Sequence, residues 1–265
     1  MGWFGDFVSS ACGVFGDTLS GVGSFLKEGL SIMCDGLSGI AKDIGEGIKA
    51  ICETLGSEGL AIVGCIALAI LIPGFGLPEL LLLIKCVAEI AKMLGIGGED
   101  SPEELGMKTE IAEKKPEDFD SIEEYIKYLN EEVELEEGAV ENLSDMDKVK
   151  YGAMGAALNI KAIEEKYDVR LSPDFLRDVT IMKLTSEEIA QCIKEFKDNG
   201  ITKMQDMTDY LRDEKIDSDK SKVSESILSV MSDLYPELSE EQLEAKLADM
   251  RNELADYSPE GWDKW

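Results

Sequence analysis

The chain has 265 residues, 55 acidic and 26 basic side chains, and a net charge of −29. Such a surface is repelled by phosphate backbones and by anionic headgroups, which argues against nucleic acid as a partner. Histidine is absent, which removes every metal site, triad or near-neutral proton switch that needs an imidazole.

The chain divides by composition near residue 100. Nineteen of the 25 glycines precede Glu99. Residues 1–100 carry a net charge of −7 and residues 101–265 a net of −22. The expected fold class is all-α in three parts. These are a glycine-rich amphipathic helical segment over 1–56, a hydrophobic helical hairpin over 57–98, and an acidic, soluble multi-helix domain over 99–265.

In the first part, apolar side chains recur in steps of four, three and four. The stripe is Phe4, Val8, Ala11, Phe15, Leu19, Val22, Leu26, Leu30, Met33, Leu37, Ile40, Ile44, Ile48, Ile51 and Leu55. Eleven residues per three turns is close to the natural helical period, so the stripe does not drift around the helix. Twelve glycines fall between Gly2 and Gly56, each costing about 0.5–1 kcal/mol relative to alanine inside a helix. The segment therefore needs lipid, another copy or the rest of the fold to order it. The start, "MGWFGDFVSS", has no basic n-region, so synthesis in the cytoplasm without a cleavable signal is expected, followed by association with a membrane.

The second part is the run "LAIVGCIALAILIPGFGLPELLLLIK", residues 60–85. Its candidate membrane-inserting residues are Leu60, Ile62, Ile66, Leu68, Ile70, Leu71, Pro73, Phe75, Pro78, Leu80, Leu81, Leu82 and Leu83. The two prolines and two glycines of "PGFGLP" predict a turn between helical arms over 57–72 and 79–94. Each arm is roughly 21–24 Å long at 1.5 Å per residue, against a bilayer core of about 30 Å. The hairpin can dip into one leaflet, span a thinned membrane, or form the buried centre of a helical bundle. Lys85, Glu89 and Lys92 mark a more polar face on the second arm.

The third part reads as short capped helices. "SPEE" at Ser101, "SPDF" at Ser172, "TSEE" at Thr185 or Ser186 and "SEEQ" at Ser239 are helix starts, and Gly200 is a stop. Helices are predicted over 102–114, 120–133, 145–168, 173–183, 186–198, 203–214, 219–234 and 240–256. Apolar faces are Ile122, Tyr125, Ile126 and Leu129; Ile189, Ile193 and Phe196; and Leu243, Leu247, Met250 and Leu254. Gly152, Ala153, Gly155, Ala156 and Ala157 suit close helix contact. Trp262 and Trp265 are partner-docking candidates, each able to bury a large apolar area.

Chemical motifs are sparse. The six cysteines contain no CxxC pair and are expected to be reduced, small core residues. "DSDKSKVSESIL" from Asp217 has Lys222 where a calcium loop needs glycine and Leu228 where it needs glutamate, so a solvated helix start is expected there. No phosphate loop, dinucleotide fingerprint or nucleophile elbow is present. Neither an enzyme nor a cofactor is expected. The expected function is membrane insertion of the hairpin with self-association, as a pore-forming effector or a phage or secretion-system ejection component. The alternative is a structural protein whose apolar half assembles with itself or with a partner, leaving the acidic half exposed. The expected partners are a lipid membrane, further copies of the chain, and a protein for the acidic domain.

Overall fold

A computed structural model describes residues 77–256, and they are all-α. The order is α1 (Leu77–Met93), α2 (Pro102–Ile111), a 3-10 turn (Pro116–Asp118), α3 (Ile122–Glu132), α4 (Asp145–Tyr167), α5 (Pro173–Ile181), α6 (Ser186–Asp198), α7 (Gln205–Leu211), α8 (Lys220–Leu234) and α9 (Glu240–Asp256). The only extended pairing among these residues is an isolated parallel bridge between Arg170 and Lys203. The stripe from Phe4 to Leu55 and the first hairpin arm lie outside the described residues, as do Trp262 and Trp265.

The helix starts follow their caps. Ser101 Oγ accepts the Glu104 amide at 3.2 Å, and Glu104 returns the favour to the Ser101 amide at 2.6 Å. Thr185 rather than Ser186 caps α6, with Glu188 as its reciprocal partner. Ser172 caps α5 and Asp219 caps α8 through its carboxylate. These bonds satisfy amides that have no acceptor within their own helix. Gly200 ends α6 at φ +70° while the Ile201 amide reaches back to the Phe196 carbonyl at 2.8 Å, a left-handed stop that a Cβ would strain.

The ends of α1, α2 and α7 differ from the sequence reading. α1 begins at Leu77, so Pro78 sits in its first turn, where proline loses no helical hydrogen bond. α2 stops at Ile111 because Ala112 is extended, ahead of Lys115, which Pro116 also holds extended. α7 is shorter than expected at both ends. Thr202 and Met204 are occupied in backbone bonds to Arg170, and Asp213 turns left-handed at φ +58°.

The described residues form two compact units, one of residues 77–88 and 96–162 and the other of Glu89–Gly95 and 163–256. In the first, α2 packs on α3, and Ile84, Val87, Leu105, Tyr125, Ile126 and Leu129 are buried. α4 is buried on all sides from Gly152 to Ile160, the pattern of a central helix. Its small residues admit α2 to backbone contact. A Cβ built on Gly106 would lie 2.0 Å from the Tyr151 carbonyl oxygen, and one on Gly155 would lie 2.1 Å from that of Pro102.

In the second unit α8 packs on α6 and α7, α7 packs on α5, and α9 touches α5, α7 and α8. The predicted faces Ile189, Ile193, Phe196 and Leu243, Leu247, Met250, Leu254 are all buried. Cys192 is a buried free thiol and Cys86 a half-buried one. Burial pushes the Cys192 thiol up to about 12, with Glu188 and Glu195 adding to the rise.

Candidate functional site

The apolar run enters the described structure at the start of α1, a helix with one buried and one exposed face. Leu82 is 67% exposed, whereas Leu83 is 8% exposed and Ile84 is 1%. Leu81 is half-buried. The other candidate insertion residues, Leu60 to Phe75, lie outside the described residues, and Pro78 and Leu80 are placed only as positions in α1. Beyond Leu83 every apolar residue of α1 except Met93 is buried, with Cys86 half-buried. Lys85, Glu89 and Lys92 are exposed, as their spacing predicts.

The far end of α1 is fastened by polar contacts within the second unit. Lys166 Nζ donates to the Gly95 carbonyl at 2.8 Å, and the Tyr167 hydroxyl donates to that of Leu94 at 3.0 Å. These donors satisfy terminal carbonyls that the helix leaves open, and the lysine complements the negative end of the dipole. Ser186 Oγ donates to Glu89 at 2.8 Å. Each buried Ile, Leu or Val of α1 contributes about 1.5–3 kcal/mol relative to exposure. Lipid could replace that burial, but it would have to take up Lys85, Glu89 and Lys92 as well.

Two buried polar clusters were not anticipated from the sequence. In the first, Asp178 is fully buried on α5 and receives two guanidinium groups. Arg212 holds it with both terminal nitrogens, Nη2 at 2.8 Å from Oδ1. Arg177 adds bonds from Nε at 3.0 Å and Nη2 at 2.8 Å. Gln205 Nε2 also approaches Asp178, at 3.4 Å, and donates to Asp209 at 2.8 Å. Burial raises the Asp209 carboxyl above its ordinary range against that Gln205 bond, and the Glu214 and Asp178 charges add to the rise. The sequence signal was slight: an aspartate three residues after Phe175 and beside Val179, on the apolar face of a short helix.

In the second cluster Glu188 has a double role. Beyond capping α6, it accepts the Tyr235 hydroxyl at 2.6 Å and pairs with Lys246 Nζ at 3.4 Å. Lys246 also lies 4.4 Å over the Tyr235 ring. Burial works against the Glu188 charge. The Thr185 amide, the Tyr235 hydroxyl and Lys246 outweigh it and hold the carboxyl below its ordinary 4.5. A depressed folded value means the stabilisation is complete above about pH 4.5 and is lost as the pH falls through the folded value. Glu188→Gln is therefore expected to lower the urea midpoint at pH 7, with the gap to the parent closing as the pH drops below 4.5. A gap of equal size at pH 7 and at strongly acid pH would refute this account of Glu188.

An open hollow of about 500 Å³ in the first unit is lined by Ser121, Glu123, Glu124, Lys127, Asn130 and Glu131, among others. Among the described residues no three Cys, Asp or Glu side chains are grouped to hold a metal ion. Asp217, the first position of the failed calcium pattern, pairs with Lys203, and Asp219 is spent on the α8 cap. Among the described helices none is long and apolar enough to cross a membrane. The exposed large apolar residues among those described are Leu82, Met93, Ile111 and Leu228. No protein-family model, curated protein or solved structure matches this chain.

Proposed function

We propose that this is a non-enzymatic, membrane-associating protein in which the acidic helical region carries an apolar N-terminal half to lipid. The observation that supports the reading is the exposure of Leu82, at 67%, in the helix that closes the apolar run. The apolar run is continuous in sequence, yet from Leu83 onward it is satisfied by protein. The stretch Gly59–Ile72 is uncharged and apolar in sequence. It is long enough to enter one leaflet or a thinned bilayer. The stripe from Phe4 to Leu55 would lie along the surface or line an oligomer, and the concrete forms are a pore-forming effector or an ejection component.

The test is flotation of the full-length chain with phosphatidylcholine vesicles at neutral and acid pH, followed by dye release. Floating protein is the expected result. Protein that stays at the bottom of the gradient at both pH values rules the reading out.

A second reading rests on the burial of Leu83, Ile84 and Val87 in protein. On it, the whole apolar half is an assembly seam, joining copies of the chain or a protein partner, and the acidic half decorates the outside. It predicts concentration-dependent self-association without lipid in sedimentation velocity, and no flotation.

A further inference from the structure

We infer that Asn199 is a deamidation site, held back by the folded turn at the end of α6 and released when that turn opens. Five asparagines occur in the chain, and Asn199 alone precedes a glycine. An asparagine converts when the next backbone nitrogen attacks its side-chain carbonyl carbon. Here a bond forms from the Gly200 nitrogen to Asn199 Cγ and the Cγ–Nδ2 bond breaks. The amide nitrogen leaves as ammonia, taking the Gly200 proton. Water then opens the cyclic imide to aspartate or, through the other carbonyl, to isoaspartate. A glycine admits the attack because it has no Cβ to crowd the approach. Gly200 is exposed, and nothing lies within 4 Å of a Cβ built on it, so solvent reaches the reacting bond.

The turn withholds each group that the reaction needs. Asn199 sits at φ −88° and ψ 2°. That ψ sets the Gly200 nitrogen beside the backbone nitrogen of Asn199 and turns it away from Cβ, whereas ring closure needs it on the Cβ side. The Gly200 amide is spent on the Lys197 carbonyl at 2.9 Å. Asn199 Nδ2 is shared among the Glu195 carbonyl at 3.0 Å, Glu195 Oε1 at 3.1 Å and Ser226 Oγ of α8 at 3.1 Å. Phe196 and Ile201 flank the turn, and both are buried, as is Ser226. Rotation to the reactive geometry breaks the Gly200 bond and disturbs that packing. Conversion also changes the fold that admitted it. A carboxylate at position 199 has no proton to give either Glu195 oxygen, and it sets a negative charge beside a glutamate at the negative end of the helix dipole. A chain that converts while the turn is open therefore closes with a weaker contact between α6 and α8, and the opening is recorded in a covalent change.

The experiment is incubation of the full-length chain in neutral buffer with and without urea. Tryptic digestion and mass spectrometry then follow the peptide from Asp198 to Lys203, in which Asn199 is the one asparagine. Conversion in urea is expected to be about tenfold faster or more, because opening the turn exposes Phe196 or Ile201. Without urea, Ser226→Ala is expected to convert about twofold to tenfold faster than the parent, from the loss of one hydrogen bond of the clamp. Thr185→Ala removes a cap bond at the opposite end of α6 and is expected to match the parent. Equal rates with and without urea would mean that the turn guards nothing, and no conversion in urea would mean that Asn199 does not react. Either result overturns the inference. Equal acceleration by Thr185→Ala and Ser226→Ala would put the guard in the helix as a whole and overturn the role given to the turn.

Discussion

Asp178→Ala is expected to remove about 3–5 kcal/mol of stability, the usual cost of leaving buried charges without their partner. The carboxylate has no exposure, and the side chains of Arg177 and Arg212 retain only 19% each. Truncation would remove the carboxylate that holds Arg212 and leave Arg177 with Asp174 alone, on a helix whose Phe175, Leu176 and Val179 are buried. A protein of ordinary stability has about 5–15 kcal/mol in total, so the variant would unfold at much lower urea. Removing the cluster as a whole should be far milder. Asp178→Leu combined with Arg177→Met and Arg212→Met deletes all three charges and keeps the volume, and such exchanges are often neutral. Urea titration by circular dichroism checks both. A loss under about 1 kcal/mol for Asp178→Ala would mean that water reaches the site and the charges are not sealed.

The second large effect is steric. Gly106→Ala and Gly155→Ala are each expected to cost about 3 kcal/mol or more, at the upper end for overpacking. The obstacle in both cases is a backbone carbonyl, Tyr151 for Gly106 and Pro102 for Gly155, at 2.0 and 2.1 Å from the new methyl carbon. A side chain could swing away, but a carbonyl can move only with its helix. Gly200→Ala is the comparison, because nothing lies within 4 Å and the only penalty is its φ of +70°. That left-handed strain is worth about 1–2 kcal/mol. The order Gly106 and Gly155 well above Gly200 is the test of the α2–α4 crossing. Equal losses at all three positions would dismiss it.

Both predictions bear on the membrane reading through stability. An acidic domain that presents an apolar segment must itself hold together while that segment changes environment. The second half of α1 is bonded at Gly95, Leu94 and Glu89, so a domain that stays folded keeps that half of the helix seated. On this reading the part of the chain that transfers to lipid lies before α1. Flotation of the full-length chain tests that reading.

Much of the helical architecture was legible in the sequence. Apolar residues at helical spacing and reciprocal caps are local signals, because a cap and the amide it satisfies lie three residues apart. Ser101, Ser172, Thr185 and Gly200 therefore placed helix ends where the structure has them, and every residue of the three predicted apolar faces is buried. Ends governed by distant partners were misjudged. α7 is short because Arg170, more than thirty residues earlier, takes the backbone groups of Thr202 and Met204.

The buried polar chemistry was not legible, for the same reason. Asp178 becomes an ion-pair centre only when α7 brings Arg212 to it, 34 residues away in sequence, and Glu188 gains Tyr235 across 47 residues. In sequence both were two carboxylates among 55. The close-packing glycines divide in the same way. A run of small residues marked α4 as a helix that neighbours could approach, but Gly106 stands alone in its helix and acquires its meaning only where α2 meets Tyr151. The sequence by itself determined the helices, their caps, their inward faces and the contrast between an apolar and an acidic half, since each is set by residues within a turn or two. The tertiary structure alone decided which face of α1 is covered, because Leu82 and Leu83 are identical residues until packing buries one and leaves the other in water.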